Sequence, residues 1–224
     1  MSFDLRAGLV LALEGSTREA SVAAFFRGKT DEIALSADRQ HQSDLLPSID
    51  VLTRRLGASP RDLTAVIVGT GPGSYTGLRV AIATALGLGS AARARLLGVP
   101  VGEVLCRGEC SDGEELALLW DARSSEIYCG RWRRVIDDVV EVEPVRVARA
   151  DTLAELRLDD AVIVTDMADR IEARFAARIL VGAVPRARTL LELGLDRLAR
   201  GVETPAPLLE PLYLRPFAVT ERKR

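Results

Sequence analysis

The run Gly69-Thr70-Gly71-Pro72-Gly73-Ser74-Tyr75-Thr76-Gly77-Leu78-Arg79 constrains what this chain can fold into more than any other segment. It follows an apolar, strand-like stretch, Leu63 to Val68, and leads into a long apolar helix, Leu78 to Ala92. Four glycines in nine positions, with a proline and three serine or threonine hydroxyls, are costly unless the backbone needs unusual dihedrals or very close approach. A strand turning tightly into a helix N-terminus also aims amide groups at one point, where an anion can sit. The turn is therefore either a phosphate cradle or a place where a second backbone comes very close.

Neither common phosphate motif fits. A Walker loop needs Lys after its last Gly, but Leu78 follows Gly77, and no lysine lies between Lys29 and Lys223. The dinucleotide pattern G-x-G-x-x-G ends on Ser74 when started at Gly69 and on Thr76 when started at Gly71. The helix carries a different signal. Gly77, Ala81, Ala85 and Gly89 recur every four residues, leaving one ridge nearly bare, with Leu78, Ile82 and Leu86 beside it. A bare ridge permits close packing. The commoner use is to seat the helix on its own sheet; the other is to receive a partner.

Composition narrows the function classes. The chain of 224 residues holds one large or two small domains with a real core. Net charge of −2 argues against a strongly basic nucleic-acid face. The local run Arg131-Trp132-Arg133-Arg134 is a candidate RNA contact, although such runs are more often solvated strand ends. The apolar, uncharged stretch Val80 to Ala92 has 13 residues, short of the roughly 18 a membrane span needs. The apolar run Ala7 to Leu13 is too short for a signal peptide, and Cys106, Cys110 and Cys129 have no disulfide spacing; a reducing cytoplasm is expected. His41 is the only histidine, so a two-histidine metal site cannot be built from this chain, and a Ser-His-acid triad would have to pass through a polar run with no nucleophile elbow.

The order of elements reads as strands at Leu9–Leu13, Ala20–Phe26 and Glu32–Ser36, then an amphipathic helix. In that helix Leu45, Leu46, Ile49, Leu52 and Leu56 share a face, Ser43 is a candidate cap, Pro47 sits in or near the first turn, and Gly57 ends it. After the glycine turn and its helix, Gly98-Val99-Pro100 closes the first half. The second half starts the pattern again: Leu13 to Glu19 lies over Trp120 to Glu126 at a constant offset of 107, which sets Asp121 over Glu14. That offset suggests duplication of an α/β unit. Strands Ile127–Trp132, Val139–Val147 and Ala161–Thr165, with helices Thr152–Arg157, Ala168–Leu180 and Leu190–Arg200, complete the second unit, and a proline-rich tail, 205–216, lies extended. The expected division is 1–103 and 104–224.

Gly71 to Arg79 resembles the G-P-G-S-[FY]-T-G-[LV]-R signature of the bacterial TsaB family, also called YeaZ. Four further segments resemble that family in the same order. They are Leu11 to Ala24, His41 to Pro47, Asp121-Ala122-Arg123 with Glu126-Ile127-Tyr128, and the tail Pro211-Leu212-Tyr213-Leu214-Arg215-Pro216. The resemblance implies an α/β fold of two RNase H-like halves in the actin-like, Hsp70 and sugar-kinase (glycoprotease-like) superfamily. It implies a non-catalytic subunit required for threonylcarbamoyl transfer to adenosine 37 of tRNA, paired with and activating a catalytic paralogue, TsaD.

The partner surface implied is the pair of N-terminal helices, with Leu45, Leu46, Ile49, Leu52, Gly77, Ala81, Ala85 and Gly89. The same surface would serve a homodimer when the chain is alone. A TsaE-type ATPase joins the assembled complex, and tRNA is met only through it. No cofactor or metal is expected on this chain alone, while ATP or ADP and magnesium belong to the assembly. Nucleotide or phosphate contacts, if this chain supplies any, fall to Gly71, Gly73, Ser74, Thr76, Glu14 and Asp121. Gly15 stands where the family usually has Thr, which argues against independent ATP hydrolysis. A degenerate ATPase and, less favoured, a glycoprotease-like peptidase are the alternatives.

Overall fold

In the computed structural model, residues 7–35, 41–156, 158, 160–171 and 177–214 are described. Strands β1 (Leu9–Glu14), β2 (Ser21–Phe26) and β3 (Lys29–Ala34) form an antiparallel meander. Helix α1 (His41–Arg55) follows, then β4 (Leu63–Gly71), α2 (Tyr75–Ala92) and β5 (Arg95–Pro100). β4 pairs parallel to β1, and β5 parallel to β4, giving the sheet order β3-β2-β1-β4-β5.

The second sheet repeats this order. Helix α3 (Val101–Glu109) leads to β6 (Glu115–Arg123), β7 (Glu126–Val135), β8 (Asp138–Arg149), β9 (Ala161–Thr165), a short α4 (Ala168–Ile171), β10 (Ile179–Val181) and α5 (Ala187–Ala199). Its order is β10-β9-β6-β7-β8, with β6-β7 and β7-β8 antiparallel and β6-β9 and β9-β10 parallel. The weak offset repeat in the sequence is thus a repeat of topology. The two opening hairpins align with one residue less in the second: Glu14 faces Ser21, while Asp121 faces Ile127.

Alternation along the central strands builds a core on both faces of each sheet. Leu9, Leu11 and Leu13 of β1 point to α1 and α2, where they meet Leu45, Leu52, Ala81 and Ala85. Val10 and Ala12 point the other way, toward Leu190, Leu191 and Leu193 of α5. In the second sheet Leu116, Leu118 and Trp120 face α3, and Ala117 and Leu119 face Met167 and Ile171.

The structure corrects five expectations. α5, which a boundary at 103/104 assigns to the second half, packs on the first sheet. Ala187 donates its amide to Ser21 Oγ at 2.8 Å, and Gly194 lets Ile67 press against the helix. Residues 204–212 also return there: the Thr204 amide reaches the Leu96 carbonyl, the Leu212 amide the Thr70 carbonyl, and Leu209 is buried in that core. Each sheet needs both faces covered, and the second unit supplies the missing cover for the first. Ala168–Leu180 is not one helix: α4 stops at Ile171, Ile179 and Leu180 lie in β10, and 172–176 fall outside the described residues. The segment expected as a helix from Thr152 is a 3-10 stretch, Ala150–Glu155. The third strand begins at Lys29, because Arg27 and Gly28, both with positive φ, make a tighter turn than expected. α1 begins at His41, two residues before Ser43, and places Pro47 inside the helix.

Candidate partner surface and glycine turn

The glycine turn closes on the β1–β2 turn. Ser74 donates its amide to the Ser16 carbonyl at 2.6 Å, so the two turns are bonded backbone to backbone. A methyl group on Gly73 would drive into the Ser16 carbonyl oxygen, and one on Gly77 into that of Gly15. Close backbone approach is therefore what these glycines serve. At the start of α2, Gly77 donates its amide to the Ser74 side chain at 3.3 Å, and the Leu78 amide goes to the Ser74 carbonyl at 2.9 Å. An anion at Gly71, Gly73, Ser74 or Thr76 would compete with bonds the turn already makes, although Ser74 and Thr76 remain exposed at its rim.

Glu14, at the end of β1, is sealed beneath this junction with no exposure. Its Oε1 accepts the Ser16 amide at 2.8 Å; Oε2 has no hydrogen-bond partner among the described residues and presses on Gly69, where a side chain could not fit. Burial pushes its pKa up to about 7, against the pull of the Ser16 hydrogen bond. Asp121, at the matching place on β6, stands in solvent. Its Oδ1 accepts the Arg123 amide at 2.9 Å, and its own amide goes to Asp166 Oδ1 at 2.8 Å. The two strand-end acids therefore meet different surroundings, one sealed and one open.

The bare ridge of α2 faces inward. Ala81 and Ala85 are buried in the first core, Gly77 touches the Gly15 backbone, and Gly89 receives the Leu96 side chain. On α1, Leu45, Ile49 and Leu52 are likewise core residues, while Leu46 is 58% exposed. Of the eight residues expected at a partner surface, Leu46 alone projects outward. The ridge is small because the helix must lie close on its own sheet.

The outward face of α2 is also lean: Ala83, Gly87, Ser90 and Ala91 are exposed, and a methyl group on Gly87 would meet open space. Between the helices a groove of about 540 Å³ is lined by Leu46, Ile49, Thr53, Leu88, Ala91 and Ala92, with Leu9 and Leu11 at its floor. Ala83, Gly87 and Ala91 stand four residues apart, so the sequence carries two lean ridges of equal period. The inward one draws attention because it runs through the motif residue Gly77. The outward one shares no residue with the glycine motif, and its spacing is the signal that finds it.

The side chains of the basic run on β7 are engaged within the fold. Trp132 is fully buried against Gly102, and both Arg131 and Arg133 pair with Glu115. Arg134 donates to the Arg107 carbonyl at 3.1 Å. The three cysteines are buried, and the described residues contain no group of three or more His, Cys, Asp or Glu placed to hold a metal. No described helix is long and apolar enough to cross a membrane.

Two five-stranded sheets of one order, with helices shared between them, define an α/β protein of the actin-like, glycoprotease-like class. Residues 33–168, more than half of the chain, match the TsaD family, described as tRNA N6-adenosine threonylcarbamoyltransferase. The TsaB protein of Haemophilus influenzae, a tRNA threonylcarbamoyladenosine biosynthesis protein, is 29% identical, covering 92% of this chain and 93% of its own. An uncharacterized protein of Mycobacterium tuberculosis is 32% identical, covering 79% of this chain and 76% of its own. The structure of YeaZ from Pseudomonas aeruginosa superposes with a TM-score of 0.81 at 28% identity, covering 92% of this chain and all of that one. The chain belongs to the TsaB/YeaZ family.

Proposed function

We propose that this chain is the non-catalytic subunit in formation of threonylcarbamoyladenosine at position 37 of tRNA, and that it acts by binding and activating a TsaD-type paralogue. The contact runs over the outward faces of α1 and α2. The observation that carries this reading is the combination of family membership with that surface. An exposed Leu46 and Ala91 of the lean ridge line an apolar groove, and Ala83 and Gly87 continue that ridge in the open. Small residues on a helix let another helix approach closely, and the groove accepts its side chains.

The paralogue carries the chemistry. Here the first strand-end acid is sealed, and the turn's donors at Ser74 and Gly77 are engaged. Activation is a binding free energy that shifts the paralogue toward its active conformation. The same faces serve a homodimer when the chain is alone, and a TsaE-type ATPase, ATP or ADP with magnesium, and tRNA enter at the level of the complex. The cytoplasm is the compartment this reading requires.

The test is mass by light scattering after size exclusion, with the chain mixed with its TsaD paralogue, with and without ATP. A heterocomplex is expected, lost in Gly87→Glu and Leu46→Asp while the melting temperature stays within a few degrees. Two separate peaks, or normal association of both variants, overturns the reading. Ala81→Glu is no substitute: Ala81 is 2% exposed, and a charge there destroys the core rather than an interface.

A further inference from the structure

α3 ends on two thiols one helical turn apart. Cys106 lies within the helix and Cys110 is its C-cap, whose amide donates to the Cys106 carbonyl at 3.1 Å. Side chains four residues apart on a helix share a face. These two also share a hydrogen bond, and both sit in the core between α3 and the second sheet. The third cysteine cannot join them, because Cys129 points to the opposite face of that sheet, among Ala117, Leu119 and Met167.

The two thiols meet different surroundings. Cys106 is fully buried, and its hydrogen bond to Cys110, together with that burial, pushes its pKa up. Cys110 is 9% exposed, next to the open residues Ser111 and Asp112. The Cys106 hydrogen bond holds its pKa down; Arg178, which donates to the Glu109 carbonyl, pulls the same way against burial, Glu114 and Glu109. One sulfur is a thiolate near the surface and the other a sealed thiol within reach of it, the arrangement of an attacking and a resolving cysteine.

The backbone permits a bond between them. A disulfide spans Cα atoms about 4.4–6.8 Å apart, and one helical turn sets them roughly 6 Å apart. The Cβ atoms must close by about 1–2 Å from ordinary helical neighbours. A helix end can yield that much, since Cys110 is already extended, with φ −106° and ψ 144°.

We propose that Cys106 and Cys110 form a reversible disulfide when the chain meets a peroxide. The Cys110 thiolate attacks one peroxide oxygen, the O–O bond breaks, and hydroxide leaves, which makes Cys110 a sulfenic acid. The Cys106 sulfur then displaces the hydroxyl group, which departs with the Cys106 proton as water. Two thiols are oxidised and one hydrogen peroxide is reduced to two waters. A bridge closing so short a loop stabilises little and is readily reduced by a dithiol, which suits a switch rather than a staple.

The probe is hydrogen peroxide, added to the full chain under native conditions before the remaining thiols are blocked and tryptic peptides are weighed. Trypsin cuts after Arg107, between the two cysteines, so a bridge keeps two peptides together. The expected product has lost two hydrogens, carries its one blocked thiol on Cys129, and recovers all three free cysteines in dithiothreitol. Cys106→Ala should stop at a Cys110 sulfenic acid, trapped by dimedone, and Cys110→Ala should slow thiol loss about tenfold. Cys129→Ala should still form the bridge, which keeps the test open if an α3 variant fails to fold. Over-oxidation of Cys110 without a link, a link through Cys129, or dimedone on Cys106 overturns the proposal. A bridge that forms only in urea also overturns it, since the pairing would then belong to the unfolded chain.

Discussion

The two lobes share one strand order and differ in almost everything laid upon it. In the first, β4 runs into a glycine turn and the 18-residue α2, and the turn bonds back to the β1–β2 loop and covers Glu14. In the second, β9 ends at Thr165, α4 is four residues long, and Asp121 is left open beside Asp166. The second opening hairpin turns through Arg123, Ser124 and Ser125, all at positive φ, without a glycine. Duplicated sheets hold their topology because pairing and alternation fix it. Helices and turns are freer to change, and the first lobe has used that freedom to seal its acid and present two helical faces outward.

The sharpest way to break this contrast is at the seal. Gly77→Ala places a methyl group into the Gly15 carbonyl, and neither backbone can move without opening the junction. A loss of about 3 kcal/mol is expected, at the upper end for overpacking. Gly87→Ala on the open face of the same helix should instead gain up to about 1 kcal/mol. Urea unfolding of both variants measures the difference; equal effects would mean the two turns are not in contact in solution.

Glu14 tests the burial rather than the closure. Its pKa stands near 7 in the folded chain and near 4.5 when unfolded, so the unfolded state ionises first as pH rises. The stability linked to this group is fully present below about pH 4.5, falls as pH rises toward 7, and levels off above. At pH 8 the cost is on the order of 3 kcal/mol. Glu14→Gln removes the charge while keeping the shape, so the variant should be more stable than wild type at pH 8 and nearly equal to it at pH 4. Parallel stability–pH curves for the two proteins would show that Glu14 reaches water.

Much of the first lobe is legible in the sequence because periodicity there is clean. The alternating runs of β1, β2 and β4 and the Leu45–Leu52 stripe of α1 announce themselves. The ridge of α2 is visible too, but spacing alone does not say which way it faces; only the position of Gly15 and Leu96 settles that. α3 is hidden because Pro100 and the glycines at 102 and 108 read as a loop. Yet Val101, Val104 and Leu105 have helical spacing, and Gly102 exists to admit the Trp132 ring. The return of α5 to the first sheet is a tertiary fact: its apolar stripe fits either lobe, and which sheet lacks a cover is not written locally. The Tyr75–Tyr213 contact joins residues far apart in sequence, and no local pattern could pair them.

The smallest expected effect concerns the second lobe's opening turn. Ser124 holds φ at 53°, flanked by Arg123 at 65° and Ser125 at 61°. For residues with a side chain this left-handed region costs roughly 1 kcal/mol, and glycine is relieved of it. Glycine gives part of that gain back through the greater entropy of its unfolded chain. Ser124→Gly should therefore raise stability by about 0.5 kcal/mol, read as a small rise in urea midpoint at unchanged slope. The contrast between the lobes sharpens if that rise appears. In the first lobe the turn takes glycine because another backbone occupies the space, and a side chain is forbidden whatever the dihedral. In the second the space is open, and the dihedral alone sets the cost. A loss of stability in Ser124→Gly would mean that the serine makes a contact which offsets its strain, and both turns would then be fixed by what they touch.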